Sequence, residues 1–411
     1  MSSRLRILVC ALLALAAASW AKESVAQKKY DLGASDTEIK VGNIMPYSGP
    51  SSSYALIGQT QAAYFKKIND EGGINGRKIV FVSYDDAYSP PKAVEQVRKL
   101  VESDEVLFVF SPLGTASNLA IQKYLNAKKV PQLFVASGAT RFGDPQHFPW
   151  TMGWAPNYQS EGRIYAKHVL EHYPDGKIAA LWQNGDAGKD QMKGLRDGLG
   201  DKGGMLIADA SFEVSDPTVD SHIARLRDSG ANIFFYWGTP KAAAQSIRKV
   251  AEMGWKPTFF LSSTSSSIGG VLKPAGLENA KGIFSAAYYK DPNDPTMKQD
   301  PDVQQWDAFM EKYLPQANKT DTNAVYGYAA AATLAEVLRR CGDDLTRANV
   351  MKQAANLKSV RIDMLLTGLT INTGPDDFFP IEQMQLMQFD GQTWHLIGEL
   401  INGDVGSARN D

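Results

Sequence analysis

The 411-residue sequence predicts an α/β protein of two similar lobes, each a doubly wound parallel sheet. Three observations carry this. Short, wholly apolar runs such as 107–110 mark strands buried on both faces of a parallel sheet. Each run gives way to a segment of helical period, and a repeated βαβ series closes with right-handed crossovers. After a break rich in proline and aromatics at 145–156 the same alternation starts again, and a 44% hydrophobic composition supplies two cores.

Taken in order, the chain opens with Arg4 and Arg6 ahead of an apolar run at 7–18. Ser19, Trp20, Ala21 and then Ser24, Val25, Ala26 follow as two small-x-small cleavage sites. Residues 1–26 therefore read as a secretory signal peptide cleaved after Ala21 or Ala26, too short for a permanent anchor. Cys10 lies early in the run behind the bulky Val9, whereas a lipid-attachment cysteine follows such a run after a small residue. A soluble exported protein is expected. Removal of the signal leaves Cys341 as the remaining cysteine of two, which excludes an internal disulfide, and its place at a helix end reads as a buried thiol. A net charge of −2 without a basic stripe speaks against nucleic acid and anionic membranes as partners.

Residues 39–45 alternate and open the first sheet. A loop at 46–50 leads to a helix over 54–69 with Ala62, Phe65 and Ile68 on one face, stopped by Gly72 and Gly73. The second strand, 78–83, runs into Tyr84, Asp85 and Asp86, where carboxylates after a strand read as turn caps. Pro90 and Pro91 start a helix that turns Ala93, Val97 and Leu100 inward. Strands at 107–110 and 130–136 complete the half. In the second half, helices at 158–172, 188–199, 221–228 and 240–254 alternate with strands at 178–182, 205–208, 233–236 and 258–261. The 240–254 helix turns Ile247, Val250 and Ala251 inward. A strand at 282–290, helices at 303–313 and 322–340, and a hairpin around Asp390 and Gly391 finish the chain.

Two turns carry the functional signal. The 107–110 strand feeds a helix that starts near Thr115 to Ser117, so Gly114, Thr115, Ala116 and Ser117 bring unpaired N–H groups and hydroxyls to the positive end of a helix dipole. That suits an anion. The next strand ends in Ser137, Gly138, Ala139 and Thr140. Neighbouring strands that end in small hydroxyl residues mark the edge where open α/β sheets bind ligands, although helix capping alone also explains either turn. There is no P-loop, GxSxG elbow, HExxH, paired CxxC or GxGxxG after a strand. His168 and His172 share helical spacing without a further ligand cluster and read as a surface pair rather than a zinc site. No enzyme, metal or cofactor is expected; a protein that closes on a ligand is.

Ser48, Gly49 and Pro50, the glycine-rich run 69–76, Tyr84 to Asp86 with Ala93 and Val97, and Ser137 to Thr140 together resemble the periplasmic leucine/isoleucine/valine-binding protein family. These are type I solute receptors of ABC importers, and the resemblance spans about 36–400. It implies the type I periplasmic binding protein fold, with lobe 1 as 36–155 plus 285–380 and lobe 2 as 156–284 plus 381–411. Three crossovers near Trp154 to Pro156, Gly282 and Pro380 would join them. A periplasmic monomer is expected, working with an ABC permease in the inner membrane and its ATPase as separate chains.

In amino-acid-binding members the turns matching 114–117 and 137–140 hold the ligand carboxylate, and Tyr54 matches the tyrosine after the Ser-Gly-Pro loop. Here Gly114 replaces the first hydroxyl of the family's serine run, with Thr115 and Ser117 beside it. The family glutamate that pairs with the ligand ammonium falls within 262–264, around Ser263, where no acid stands. A tyrosine on that side falls at Ala187, with Asp186 the one acid nearby. Burying an ammonium without a charged partner costs about 3–5 kcal/mol. With Tyr54, Tyr158, Trp237 and Tyr288 as aromatic walls, the expected ligand is an aromatic or hydrophobic carboxylate. The alternatives are a branched-chain amino acid or small amide such as urea, a sensor lobe of a signalling system, and a hydrolase.

Overall fold

The computed structural model describes residues 28–403; the expected signal peptide at 1–26, its expected cleavage site and residues 404–411 lie outside the described residues. Five parallel strands form the first sheet: β1 (Glu38–Met45), β2 (Lys78–Asp85), β3 (Phe108–Phe110), β4 (Gln132–Val135) and β5 (Thr151–Gly153). Their order is β2-β1-β3-β4-β5. The connecting helices are α1 (Ala55–Asp70), α2 (Pro90–Glu102) and α3 (Thr115–Lys128). Successive strand side chains face opposite ways. Val109 packs with Ile44, Val97, Leu100 and Ile121 towards α2 and α3, while Phe110 meets Phe65 of α1 on the other side.

The second sheet repeats this winding. Its strands are β6 (Ile178–Gln183), β7 (Leu206–Phe212), β8 (Ile233–Trp237), β9 (Thr258–Leu261) and β10 (Phe284–Ala287), in the order β7-β6-β8-β9-β10. Helices α4 (Tyr158–His172), α5 (Asp186–Leu199), α6 (Asp220–Asp228) and α7 (Pro240–Glu252) connect them. The expected hairpin is present as β11 (Gln383–Phe389), antiparallel to β10, and β12 (Trp394–Asn402), antiparallel to β11, which together extend this sheet. Asp390 holds its tip by accepting the N–H groups of Gln392 and Thr393 at 2.7 and 2.8 Å.

Several expectations need correction. Phe284 pairs with both Phe260 and Gln388, so a lobe boundary between 284 and 285 would cut β10. The chain leaves the second sheet after Ala287, and Gly282 lies before that strand, its N–H bonded to the Phe389 carbonyl at 2.7 Å, rather than at a crossover. The excursion after β10 carries α8 (Pro301–Tyr313), α9 (Asn323–Cys341) and α10 (Arg347–Ala354), and α9 packs along α1 of the first lobe. Ala62 and Ala251 are exposed, not inward. His168 is buried, its ring stacked 4.1 Å from His172 and packed near Phe284. Cys341 is a buried free thiol, and burial pushes its pKa up to about 12. No helix among the described residues is long and apolar enough to cross a membrane.

Candidate functional site

The carboxyl ends of both sheets face one cleft of about 780 Å3, mouth included. On the first-lobe wall, α3 begins directly after Gly114, whose φ of +97° belongs to the region glycine adopts freely. Thr115 Oγ1 and Ser137 Oγ stand 2.7 Å apart, so the turns after β3 and β4 converge as the sequence predicts. The first amides of α3 have no carbonyl partner within the helix. Together with this hydroxyl pair they lie at the positive end of the helix dipole, an arrangement chemically suited to negative charge.

Tyr88 explains why position 114 is glycine. A Cβ there would come within 2.6 Å of the Tyr88 ring. Ala87 and Tyr88 both take positive φ, 50° and 59°. Two carboxylates hold this left-handed pair: Asp85 accepts the Ala87 N–H at 2.9 Å and Asp86 the Tyr88 N–H at 3.0 Å. Asp85 and Asp86 are therefore the turn caps the sequence predicts. The other oxygen of Asp86 accepts the Ser117 hydroxyl at 2.8 Å. Burial raises the Asp86 pKa while these donors oppose the rise.

The opposite wall comes from the second lobe: Gln183, Ala187 and Gln191 from β6 and α5, Thr239 after β8, Ser263 and Thr264 after β9, and Tyr288 after β10. The Ser263 N–H donates to Glu161, which accepts it at 2.6 Å and accepts the Tyr165 hydroxyl at 3.0 Å. Glu161 is 1% exposed, and burial raises its pKa. Tyr158 lies over Gly138, where a Cβ would meet its ring at 2.6 Å.

Among the described residues none on the cleft wall carries a formal charge, and six are tyrosines: 54, 88, 158, 288, 289 and 326. Burial raises the pKa of every one, so they present neutral phenols. The lobes touch across the cleft. Tyr54 donates to the Thr264 carbonyl at 3.4 Å, Ser267 donates to Asp321 at 2.8 Å, and the Thr140 N–H donates to Asp190 at 2.7 Å.

Of the residues singled out from the sequence, Tyr54, Gly114, Thr115 and Ser137 line the cleft on one side and Tyr158, Ala187, Ser263 and Tyr288 elsewhere around it. The others do not. Ala116 is exposed on α3. Ser117 is turned to Asp86. Ala139 is buried with Val135 and Phe142. Thr140 is engaged on both groups, its N–H by Asp190 and its hydroxyl by the Asn157 amide at 3.0 Å. Asp186 is exposed in the first turn of α5. Trp237 is fully buried, stacked on Tyr165 and Phe235 at 5.4 and 5.6 Å, and belongs to the core.

Sequence reasoning missed Tyr88, Gln183, Gln191, Thr239, Asn323 and Tyr326. Three of these had a usable signal, since Tyr88, Gln183 and Thr239 lie at or just after strand ends on the ligand-binding edge. Asn323 and Tyr326 open a long apolar helix and had none.

Residues 38–393 match the sequence model of the family described as periplasmic binding protein. Among curated proteins, the Leu/Ile/Val-binding protein homolog 1 of Brucella suis is 24% identical over 338 residues, 81% of this chain and 87% of its own. The leucine-specific-binding protein of Salmonella typhimurium is 26% identical over 321 residues, 75% of this chain and 80% of its own. Among solved structures, a branched-chain amino acid ABC transporter protein of Thermus thermophilus with bound valine superposes with a TM-score of 0.79 at 16% identity. It covers 90% of this chain and 97% of its own. A fatty acid ABC transporter substrate-binding protein of Thermomonospora curvata gives 0.77 at 20% identity, covering 91% and 95%.

Proposed function

The chain belongs to the periplasmic binding protein family, of the Leu/Ile/Val-binding type, which comprises binding proteins rather than enzymes, and we propose that it captures a small aromatic or hydrophobic carboxylate by lobe closure for an ABC importer. The observation that carries this reading is the charge-free cleft wall with its six phenols. A carboxylate docks on the Thr115 and Ser137 hydroxyls and the first amides of α3, and its flat or apolar body lies among the tyrosine faces. Closure then brings Ser263, Thr264 and Gln191 over it, and the loaded form is recognised by a permease in the inner membrane. Export to the periplasm accords with the signal sequence at 1–26.

An amino-acid ligand is the second reading, favoured by the names of the relatives and by the buried carboxyl of Glu161 behind Ser263. It requires Glu161 to leave two hydrogen bonds and reach the cleft. Titration calorimetry of the mature protein with benzoate-type acids and with leucine separates the two. Binding of an aromatic acid without leucine binding supports the proposal. Tight leucine binding with no response to any aromatic acid ends it.

A further inference from the structure

The phenol of Tyr326 stands apart from the other polar groups of the cleft. Tyr326 lies in the first turn of α9 and lines the cleft, yet the residue is only 8% exposed. Its hydroxyl has no hydrogen-bond partner among the described residues. The ring cannot easily swing elsewhere. It packs edge-on against Trp154 at 4.8 Å, and the Trp154 indole N–H is itself tied to the Thr333 hydroxyl at 3.0 Å. Other buried phenols nearby have partners: Tyr54 donates to the Thr264 carbonyl and Tyr236 to the Thr239 carbonyl at 2.7 Å. A buried hydroxyl left unpaired is costly, so native proteins pair nearly all of them.

We propose that Tyr326 is a ligand-binding residue whose hydroxyl meets a second oxygen on the cargo, so that the cargo is an oxygenated carboxylate bearing a hydroxyl, keto or ether group. This rests on the carboxylate reading of the cleft. The acid group is received where β3 and β4 end, whereas Tyr326 reaches the cleft from α9, so the two meet the cargo from different elements and a second oxygen on it gives the phenol a partner of its own. Burial keeps the phenol protonated, which leaves it able to donate to an oxygen or accept from a hydroxyl. A site with a fixed, buried hydroxyl discriminates against the analogue that lacks the matching oxygen, because that analogue leaves the hydroxyl unpaired.

The test is calorimetry of the mature protein with benzoate and 3-phenylpropanoate, each beside its ring-hydroxylated forms, repeated on Y326F. At least one hydroxylated acid should bind about threefold to tenfold more tightly than its parent, and Y326F should bring that ratio close to one. Parent acids that bind as tightly as every hydroxylated form, or a ratio that persists in Y326F, overturn the assignment while leaving the carboxylate reading intact. If none of the acids binds, the carboxylate reading fails and the assignment falls with it. The wild-type ratio decides alone should Y326F not fold.

Discussion

At Thr115 and Ser137 two hydroxyl oxygens meet at 2.7 Å on the wall of a cleft that offers no charged side chain. A carboxylate bound there depends on those hydroxyls, so Thr115→Val and Ser137→Ala should each weaken it by about 1–3 kcal/mol in calorimetry. Ser117→Ala is a contrasting case. It removes a donor from the buried Asp86 and should lower the urea midpoint, with affinity affected only through the Tyr88 turn. Gly114→Ala should cost both stability and affinity, since it meets a positive φ and the Tyr88 ring at once. Pairing it with Tyr88→Ala relieves the clash but not the backbone strain.

His168 makes stability depend on pH. Burial, then the neighbouring His172, lowers its pKa below the ordinary value of 6.5. The unfolded chain thus binds the proton more readily than the native one. Stability from this group is present above pH ~6.5 and is lost as pH falls through the native pKa. Thermal melts at pH 7.5 and 5.5 should show a larger acid loss in the wild type than in His168→Gln.

Residue identity made Thr115 and Ser137 legible, because each hydroxyl belongs to a turn that follows a buried strand at the carboxyl edge of the sheet. It misassigned Ser117 and Thr140. Both carry suitable side chains, but Asp86 and Asp190 approach from segments distant in sequence and take their donors.

Among the elements, α5 has a part beyond packing. Asp190 receives the Thr140 N–H from the first lobe at 2.7 Å and the Gln159 amide of α4 at 3.0 Å, tying the lobes at the cleft edge. Asp190→Ala should favour a more open molecule, seen as a larger radius of gyration in solution scattering without ligand and as weaker binding. An unchanged radius together with unchanged affinity would remove this tie from the closing mechanism. Most helices and strands were legible from the switch between apolar runs and helical period. β5 was not, because three residues, Thr151–Gly153, are too few to show a period inside a proline-rich break. The lobe boundary between 284 and 285, carried over from the family resemblance, falls inside β10, because the four residues Phe284–Ala287 all pair with β11 before the chain leaves the sheet.

On the scale of the whole molecule, two sheets wound in the same order set their carboxyl edges face to face, and the cleft between them inherits its chemistry from strand-end turns. That arrangement followed from the repeated alternation in the sequence. The neutrality of the cleft followed in part, from the missing acid near Ser263. Of its six phenols Tyr54, Tyr158 and Tyr288 followed from the sequence, whereas Tyr88, Tyr289 and Tyr326 did not; Tyr88 comes from the turn after Asp85 and Tyr326 from α9, whose directions depend on tertiary packing. A neutral wall favours a carboxylate over the zwitterion of the same skeleton by the desolvation of an unpaired ammonium. The most direct measurement is therefore paired calorimetry of the mature protein with 3-phenylpropanoate and with phenylalanine, which differ by that ammonium alone. The account predicts that the deaminated acid binds about 100-fold or more tightly, corresponding to roughly 3 kcal/mol; equal or tighter binding of phenylalanine would contradict it.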